Sequence, residues 1–262
     1  MQTQKVIDHI VNWLETYAKN AKVDGFVVGI SGGIDSAVVS ALCARTGLPT
    51  LCVEMPIHQA ESQVSRGREH IDFLKQKHSQ VTDIKIDLTN VFEEFKAQVP
   101  NSAEESNLNL SLANSRARLR MTALYFLAGT THSLVVGTGN KVEDFGVGFF
   151  TKYGDGGVDI SPIADLMKSE VYLLGHELDI PQSILNAQPT DGLFGDSRTD
   201  EDQLGASYDE LEWAMNMQAK GHSSTDFSGR EKEVFEIYTR LNRANQHKIK
   251  PIPICEIPEE LK

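Results

Sequence analysis

The chain has 262 residues, 40% of them hydrophobic and 24% charged, enough apolar material for a large buried core and no sign of global disorder. Its net charge of −12 would repel a phosphate backbone, and no basic run of more than a few residues offsets it, so nucleic acid is excluded as a partner. No apolar run approaches the ~20 residues of a membrane helix, the N-terminus lacks a signal-peptide layout, and Cys43, Cys52 and Cys255 contain no CxxC pair; the expectation is a cytoplasmic protein with reduced thiols and no membrane partner.

Residues 4–18 place Val6, Ile7, Ile10, Val11, Leu14 and Tyr17 at helical spacing, which predicts an amphipathic helix. Gly25 to Ile30 is a short buried strand that runs into the turn Ser31-Gly32-Gly33 and then a helix from Ser36 to about Arg45. Thr50 to Val53 is a second strand, residues 60–77 are helical, and Val81 to Ile86 is a third strand, with Thr89 placed to cap the helix that follows. Residues 106–128 form a long helix starting at Asn107 or Ser111, and Ser133 to Gly137 is a fourth strand. After residue 150 the pattern is loop and helix, and residues 191–203, rich in Gly, Asp and Ser, predict a mobile loop, a candidate lid. There is no internal repeat and no linker, so residues 1–262 are expected to form one domain.

Short strands alternating with helices predict an α/β fold: a Rossmann-like, doubly wound, mostly parallel sheet with helices on both faces. Ligands of such sheets sit at the carboxyl ends of the strands. Ser31-Gly32-Gly33 and Thr138 both fall there.

The stretch Gly29-Ile30-Ser31-Gly32-Gly33-Ile34-Asp35-Ser36 is the most informative. Adjacent glycines let a backbone approach a ligand closely. The helix that follows aims unpaired N–H groups at the same point, which favours an anion. No Lys follows the glycines, so this is not a Walker A loop. Asp35 stands there instead, and an acid beside a phosphate cradle is reasonable when a divalent cation bridges the two.

Ser31 to Ser36 resembles the SGGxDS signature of the ATP pyrophosphatase superfamily, with its adenine nucleotide alpha hydrolase-like fold. Those enzymes cleave ATP between the α and β phosphates and adenylate an oxygen. Four further stretches are similar to segments of NAD synthetases: Asn114 to Met121, with Arg116, Arg118 and Arg120; Gly137 to Glu143; Gly148-Phe149-Phe150-Thr151-Lys152-Tyr153-Gly154-Asp155-Gly156-Gly157-Val158-Asp159; and Ser161 to Val171. The third, a GFFTKxGDGGxD loop, decides among the superfamily members. Arg116 and Arg120 share a helix face suited to an acidic surface, while Arg118 points elsewhere, toward a ligand phosphate or carboxylate.

The resemblance implies an ammonia-dependent NAD synthetase: a ligase forming a C–N bond from deamido-NAD, ATP and ammonia, with Mg2+ as cofactor, acting as a homodimer whose interface helps form the substrate site. The implied ATP-binding residues are Gly29, Ile30, Ser31, Gly32, Gly33, Ile34, Asp35, Ser36, Thr138, Lys168 and Thr190. Asp35 and Glu143 are the implied magnesium ligands, and with Lys168 the implied catalytic set. Deamido-NAD is assigned to Arg118, Phe149, Lys152, Asp159, His247 and Lys248. Phe149 would stack on the pyridine, Lys152 would hold a carboxylate or phosphate, and Asp159 would take a ribose or balance the pyridinium charge. Free ammonia is the implied donor, because glutamine-using relatives carry an additional amidase domain and only about 24 residues precede the first strand. This chain departs from many members at Gly139 and Asn140, read as minor, and at Glu54 to Gln59, where only Gln59 is a possible contact. Other adenylating amidotransferases do not account for the Gly148–Asp159 loop, a non-catalytic nucleotide-binding protein would not need Asp35, Glu143 and Lys168, and a tRNA-modifying enzyme is disfavoured by the acidic balance and the absence of a basic stripe or paired catalytic cysteines.

Overall fold

The computed structural model describes residues 1–100, 104–190 and 199–262. Four parallel strands, β1 (Gly25–Gly29), β2 (Thr50–Glu54), β3 (Val81–Lys85) and β4 (Ser133–Val135), lie in the order β3-β2-β1-β4. The register pairs Val27 with Leu51 and with Val135, and Cys52 with Asp83. Strand order reverses direction between β1 and β4, which opens a crevice beyond their carboxyl ends. Among the described residues the sheet is wholly parallel, the doubly wound arrangement expected.

Side chains alternate between the faces, as strand pleating requires. Phe26, Val28, Cys52 and Val136 face one core with α1 (Thr3–Ala21), α2 (Ile34–Arg45), α6 (Lys168–Glu177) and α7 (Gln182–Leu185). Val27, Val53 and Val135 face the other, against Phe92 of α4 (Thr89–Gln98) and Leu127 and Ala128 of α5 (Glu105–Thr131). Helix α2 is buried from Ser36 to Ala44 without a polar stripe, because α1, α3 (Glu61–Lys77) and α6 cover it. The helix after the Gly-rich turn is thus held at the centre of the fold.

A third core lies beyond the sheet. Residues Val142–Val147 form a π-helical turn that packs on α9 (Tyr208–Ala219) and α10 (Gly229–Ala244) through Val142, Val147, Leu211, Ala214, Phe235 and Tyr238. Asn242 of α10 and Asn245 just past its end donate to the carbonyls of Gly146 (2.6 Å) and Val147 (2.8 Å). These bonds satisfy backbone groups that the wide turn takes out of the ordinary helical ladder.

Several local expectations are corrected. Thr89 is the first residue of α4 rather than its cap; its N–H is taken by Asp87 Oδ1 at 2.9 Å. Helix α5 starts at Glu105, ahead of both Asn107 and Ser111. The segment 199–203 is not loop throughout: Thr199 Oγ1 accepts the Asp202 N–H and caps α8 (Asp200–Leu204). The rest of the expected lid, 191–198, lies outside the described residues.

Candidate active site

The Gly-rich turn closes on itself before any ligand is considered. Ser31 Oγ accepts the Gly33 N–H at 3.2 Å and lies 3.0 Å from Ser36 Oγ, which also donates to the Gly33 carbonyl at 3.0 Å. Gly32 has φ +81°, and a Cβ there would stand 2.4 Å from the Gln63 carbonyl of α3, so only glycine fits. Gly33 caps α2, whose first ladder bond is Ala37 N–H to Gly33 O. The N–H groups of Ile34, Asp35 and Ser36 precede that bond and open on the crevice, a ready anion site.

Three charged side chains meet beside it. Lys168, the first residue of α6 and only 3% exposed, places Nζ 2.6 Å from Asp35 Oδ2 and 3.0 Å from Glu143 Oε1. Asp35 comes from α2, Glu143 from the π-helical turn. Burial pushes the Asp35 carboxyl up, and the Lys168 ammonium opposes it. Glu143 is held below the usual range: burial works against ionisation, but Lys168 and the Tyr208 hydroxyl outweigh it. Burial alone would lower the Lys168 pKa, yet the two carboxylates drive it above the ordinary lysine value. Lys168 and Glu143 are thus shifted toward their charged forms, whereas burial works against the charged form of Asp35.

A second ring of residues fixes this cluster. Tyr208 donates to Glu143 Oε1 at 2.6 Å, lies 3.3 Å from Asp200 Oδ2, and sets its ring 4.7 Å from Lys168 Nζ. Asn140 donates to Asp35 Oδ1 at 3.1 Å while its own oxygen accepts the Val142 and Glu143 N–H groups at 3.1 Å each. Reading Asn140 as a minor departure was wrong, because that amide links the two acids. Gly139 matters as well: a Cβ there would stand 2.1 Å from Asp144 Oδ2, so its absence makes room for a third acid at the crevice. Nothing in the sequence pattern singles out Tyr208, which lies 40 residues beyond Lys168.

The crevice is a cavity of about 290 Å³, lined by Gly29, Ile30, Ser31, Gly33, Ile34, Asp35, Ser36, Thr138, Glu143, Lys168 and Thr190, and by Phe149. Gly32 belongs to the same turn and packs back on α3. Asp155, Gln59, Arg66 and Arg120 also line it, and the sequence pattern gave none of them a firm role. Arg120, expected to face an acidic surface, makes its described bonds to neutral groups. It donates to the Met55 carbonyl at 3.0 Å and to Gln59 Oε1 at 2.8 Å, and Arg116 stacks over Phe92.

The other residues assigned to the dinucleotide stand outside this lining. Arg118 donates to the Lys152 carbonyl at 3.3 Å, Lys152 Nζ to the His247 carbonyl at 2.6 Å, and Lys248 Nζ to the Phe150 carbonyl at 2.8 Å. They form a basic band where the Gly148–Asp159 loop meets α11 (Gln246–Ile249). Asp159 is elsewhere, accepting the Tyr125 hydroxyl at 3.0 Å and the Val135 N–H at 2.8 Å. Its position braces the end of β4.

Two converging carboxylates that already share a cation are a hard-oxygen donor set. They fit a magnesium ion that substrate phosphates would finish coordinating.

A Gly-rich turn at a helix N-terminus, a carboxylate pair and a Gly-rich aromatic loop at one crevice agree with what comparison shows. Residues 6–252 match the family model described as NAD synthase. The chain belongs to the NAD synthase family. It is an enzyme, a ligase with NAD synthetase activity. An NH(3)-dependent NAD(+) synthetase of Alkaliphilus metalliredigens is 38% identical, over 97% of this chain and 99% of that one. Among solved structures, an NMN synthetase from Francisella tularensis superposes with TM-score 0.84 at 32% identity, covering 99% of both chains. An NH3-dependent NAD synthetase from Campylobacter jejuni, in complex with the nitrate ion, gives TM-score 0.78 at 25% identity over 98% of this chain and 100% of that one. The Rossmann-like fold of this family is thus the fold found.

Proposed function

We propose that residues 1–262 act as one catalytic unit that joins ammonia to the nicotinate carboxylate of deamido-NAD, with ATP cleaved to AMP and pyrophosphate. The observation that carries this reading is the buried Asp35–Lys168–Glu143 cluster beside the N-terminus of α2. A carboxylate is a poor electrophile and needs activation. One of its oxygens attacks the α-phosphorus, the bond from that phosphorus to the β-phosphate oxygen breaks, and pyrophosphate leaves with both bonding electrons. Ammonia then attacks the acyl-adenylate, AMP departs, and the surplus proton goes to solvent. No side chain becomes covalently attached, so rate enhancement comes from positioning and fixed charge.

The N–H groups of Ile34, Asp35 and Ser36, with Thr138, Thr190 and the Lys168 ammonium, hold the phosphates. Asp35 and Glu143 would hold magnesium, which would supply neutralisation of phosphate charge. Phe149, in the cavity lining, takes the pyridine ring, and the band of Arg118, Lys152, His247 and Lys248 receives the outer part of the dinucleotide. A homodimer suits the exposed apolar residues of α5, since Leu110 and Phe126 are 53% and 68% exposed. No helix among the described residues is long and apolar enough to cross a membrane, and Cys43 and Cys52 are buried free thiols. These support a cytoplasmic setting.

Oxygen-18 in the nicotinate carboxylate tests the adenylate. One labelled oxygen is expected in the AMP phosphate; label found only in water or pyrophosphate would overturn the scheme. A second reading is favoured by the likeness to the Francisella NMN synthetase: nicotinate mononucleotide as the amidated acid. A kcat/KM for the mononucleotide above that for deamido-NAD would establish it.

A further inference from the structure

We infer that Arg66 is the cation that receives the leaving pyrophosphate. Among the described residues three cationic side chains line the cavity. Lys168 is already shared by two carboxylates, and Arg120 is engaged with the Met55 carbonyl and Gln59. Arg66 differs from both. Its Nε donates to the Gly32 carbonyl at 3.2 Å, and among the described residues no carboxylate lies within ion-pair distance of it. A guanidinium has five N–H donors, so four remain on the two terminal nitrogens.

Its placement is rigid. Helix α3 lies against the phosphate turn so closely that a Cβ on Gly32 would stand 2.4 Å from the Gln63 carbonyl and 3.2 Å from the Gly67 nitrogen. A half-buried arginine anchored through Nε to the turn itself keeps its fork beside whatever that turn holds. As the bond between the α-phosphorus and the bridging oxygen breaks, charge accumulates on the departing β-phosphate. The acids lining the cavity raise the cost of that charge. A planar cation that already touches the turn offsets it through paired N–H donors. Arg66 thus brings to the leaving group a charge that no described carboxylate partly cancels, whereas Lys168 brings to the phosphates one already shared with Asp35 and Glu143.

The inference rests on the ATP-cleaving reading, and direct pyrophosphate binding separates the two. Arg66→Ala should weaken binding of magnesium pyrophosphate to the full-length enzyme by roughly 10–100-fold, the worth of a charge-assisted pair, while AMP affinity stays at the wild-type value. Added guanidinium should restore part of the loss. Arg66→Lys, which keeps the charge but cannot span turn and phosphate together, should fall between, and it provides the comparison if the alanine variant fails to fold. Unchanged pyrophosphate affinity in these variants, or equal losses for AMP and pyrophosphate, would show Arg66 to be a strut for the turn and overturn the inference. Wild-type enzyme that binds pyrophosphate through Arg66 but releases none with deamido-NAD would instead sink the proposed reaction.

Discussion

Replacing Lys168 with methionine leaves Asp35 and Glu143 facing each other in a buried site without their cation. Breaking a buried ion pair in this way costs about 3–5 kcal/mol. We expect urea unfolding of Lys168→Met at neutral pH to show a loss of that order, smaller at acid pH where the carboxyls protonate, and partly restored by millimolar Mg2+. Stability equal to wild type would mean that the cluster is not charged as described. His70 provides a separate pH signature. It is fully buried with Nε2 2.8 Å from Ser40 Oγ, and burial lowers its pKa to about 4. The unfolded chain takes up this proton below about 6.5, so stability present above that pH is lost as pH falls toward 4. The shift is worth about 3 kcal/mol. His70→Gln should flatten the dependence of Tm on pH between about 6.5 and 4; an unaltered slope would assign the acid transition to other groups. Asp35, Glu143 and Lys168 could be picked from sequence because each sits in a recognisable string. Asn140 and Tyr208 could not, since an amide after a strand and a tyrosine in an ordinary helix carry no pattern until folding brings them to the two acids.

At the scale of elements, the phosphate turn and α3 form one unit. Gly32→Ala adds a Cβ at φ +81° against the Gln63 carbonyl. The variant is expected to lose more than ~1 kcal/mol and to lose ATP binding together with it. Calorimetry showing wild-type ATP affinity in a folded Gly32→Ala protein would refute that coupling. Most strands and helices were legible because apolar periodicity reports directly on burial. Two elements were not. The π-helical turn holding Glu143 spans six residues, too few for a period to show, and depends on Asn242 and Asn245 about 100 residues later. Helix α8 was hidden in a segment whose Gly, Asp and Ser content resembles loop, although Thr199 and Asp202 form a reciprocal cap. Composition alone misses a cap when the helix behind it is one turn long.

For the whole molecule, the sheet order places the phosphate turn of β1 and the Thr138 segment after β4 on either side of one crevice. That is why segments more than 100 residues apart in sequence meet there. The basic band beside the crevice is open to solvent on its outer side, and α5 presents Leu110, Tyr125 and Phe126 to solvent. Charge placed on α5 by Phe126→Asp, or separately by Leu110→Asp on the other side of the helix, should in at least one case dissociate the proposed dimer in sedimentation velocity and lower deamido-NAD affinity. A dimer that persists unchanged would move the interface to another face.

The most direct test of the account is pyrophosphate release from magnesium ATP, with deamido-NAD and ammonium each present or omitted. The account predicts release that requires deamido-NAD, formation of NAD only when ammonium is added, and loss of both in Asp35→Asn. Release independent of deamido-NAD, or none from folded enzyme that binds ATP, would contradict it.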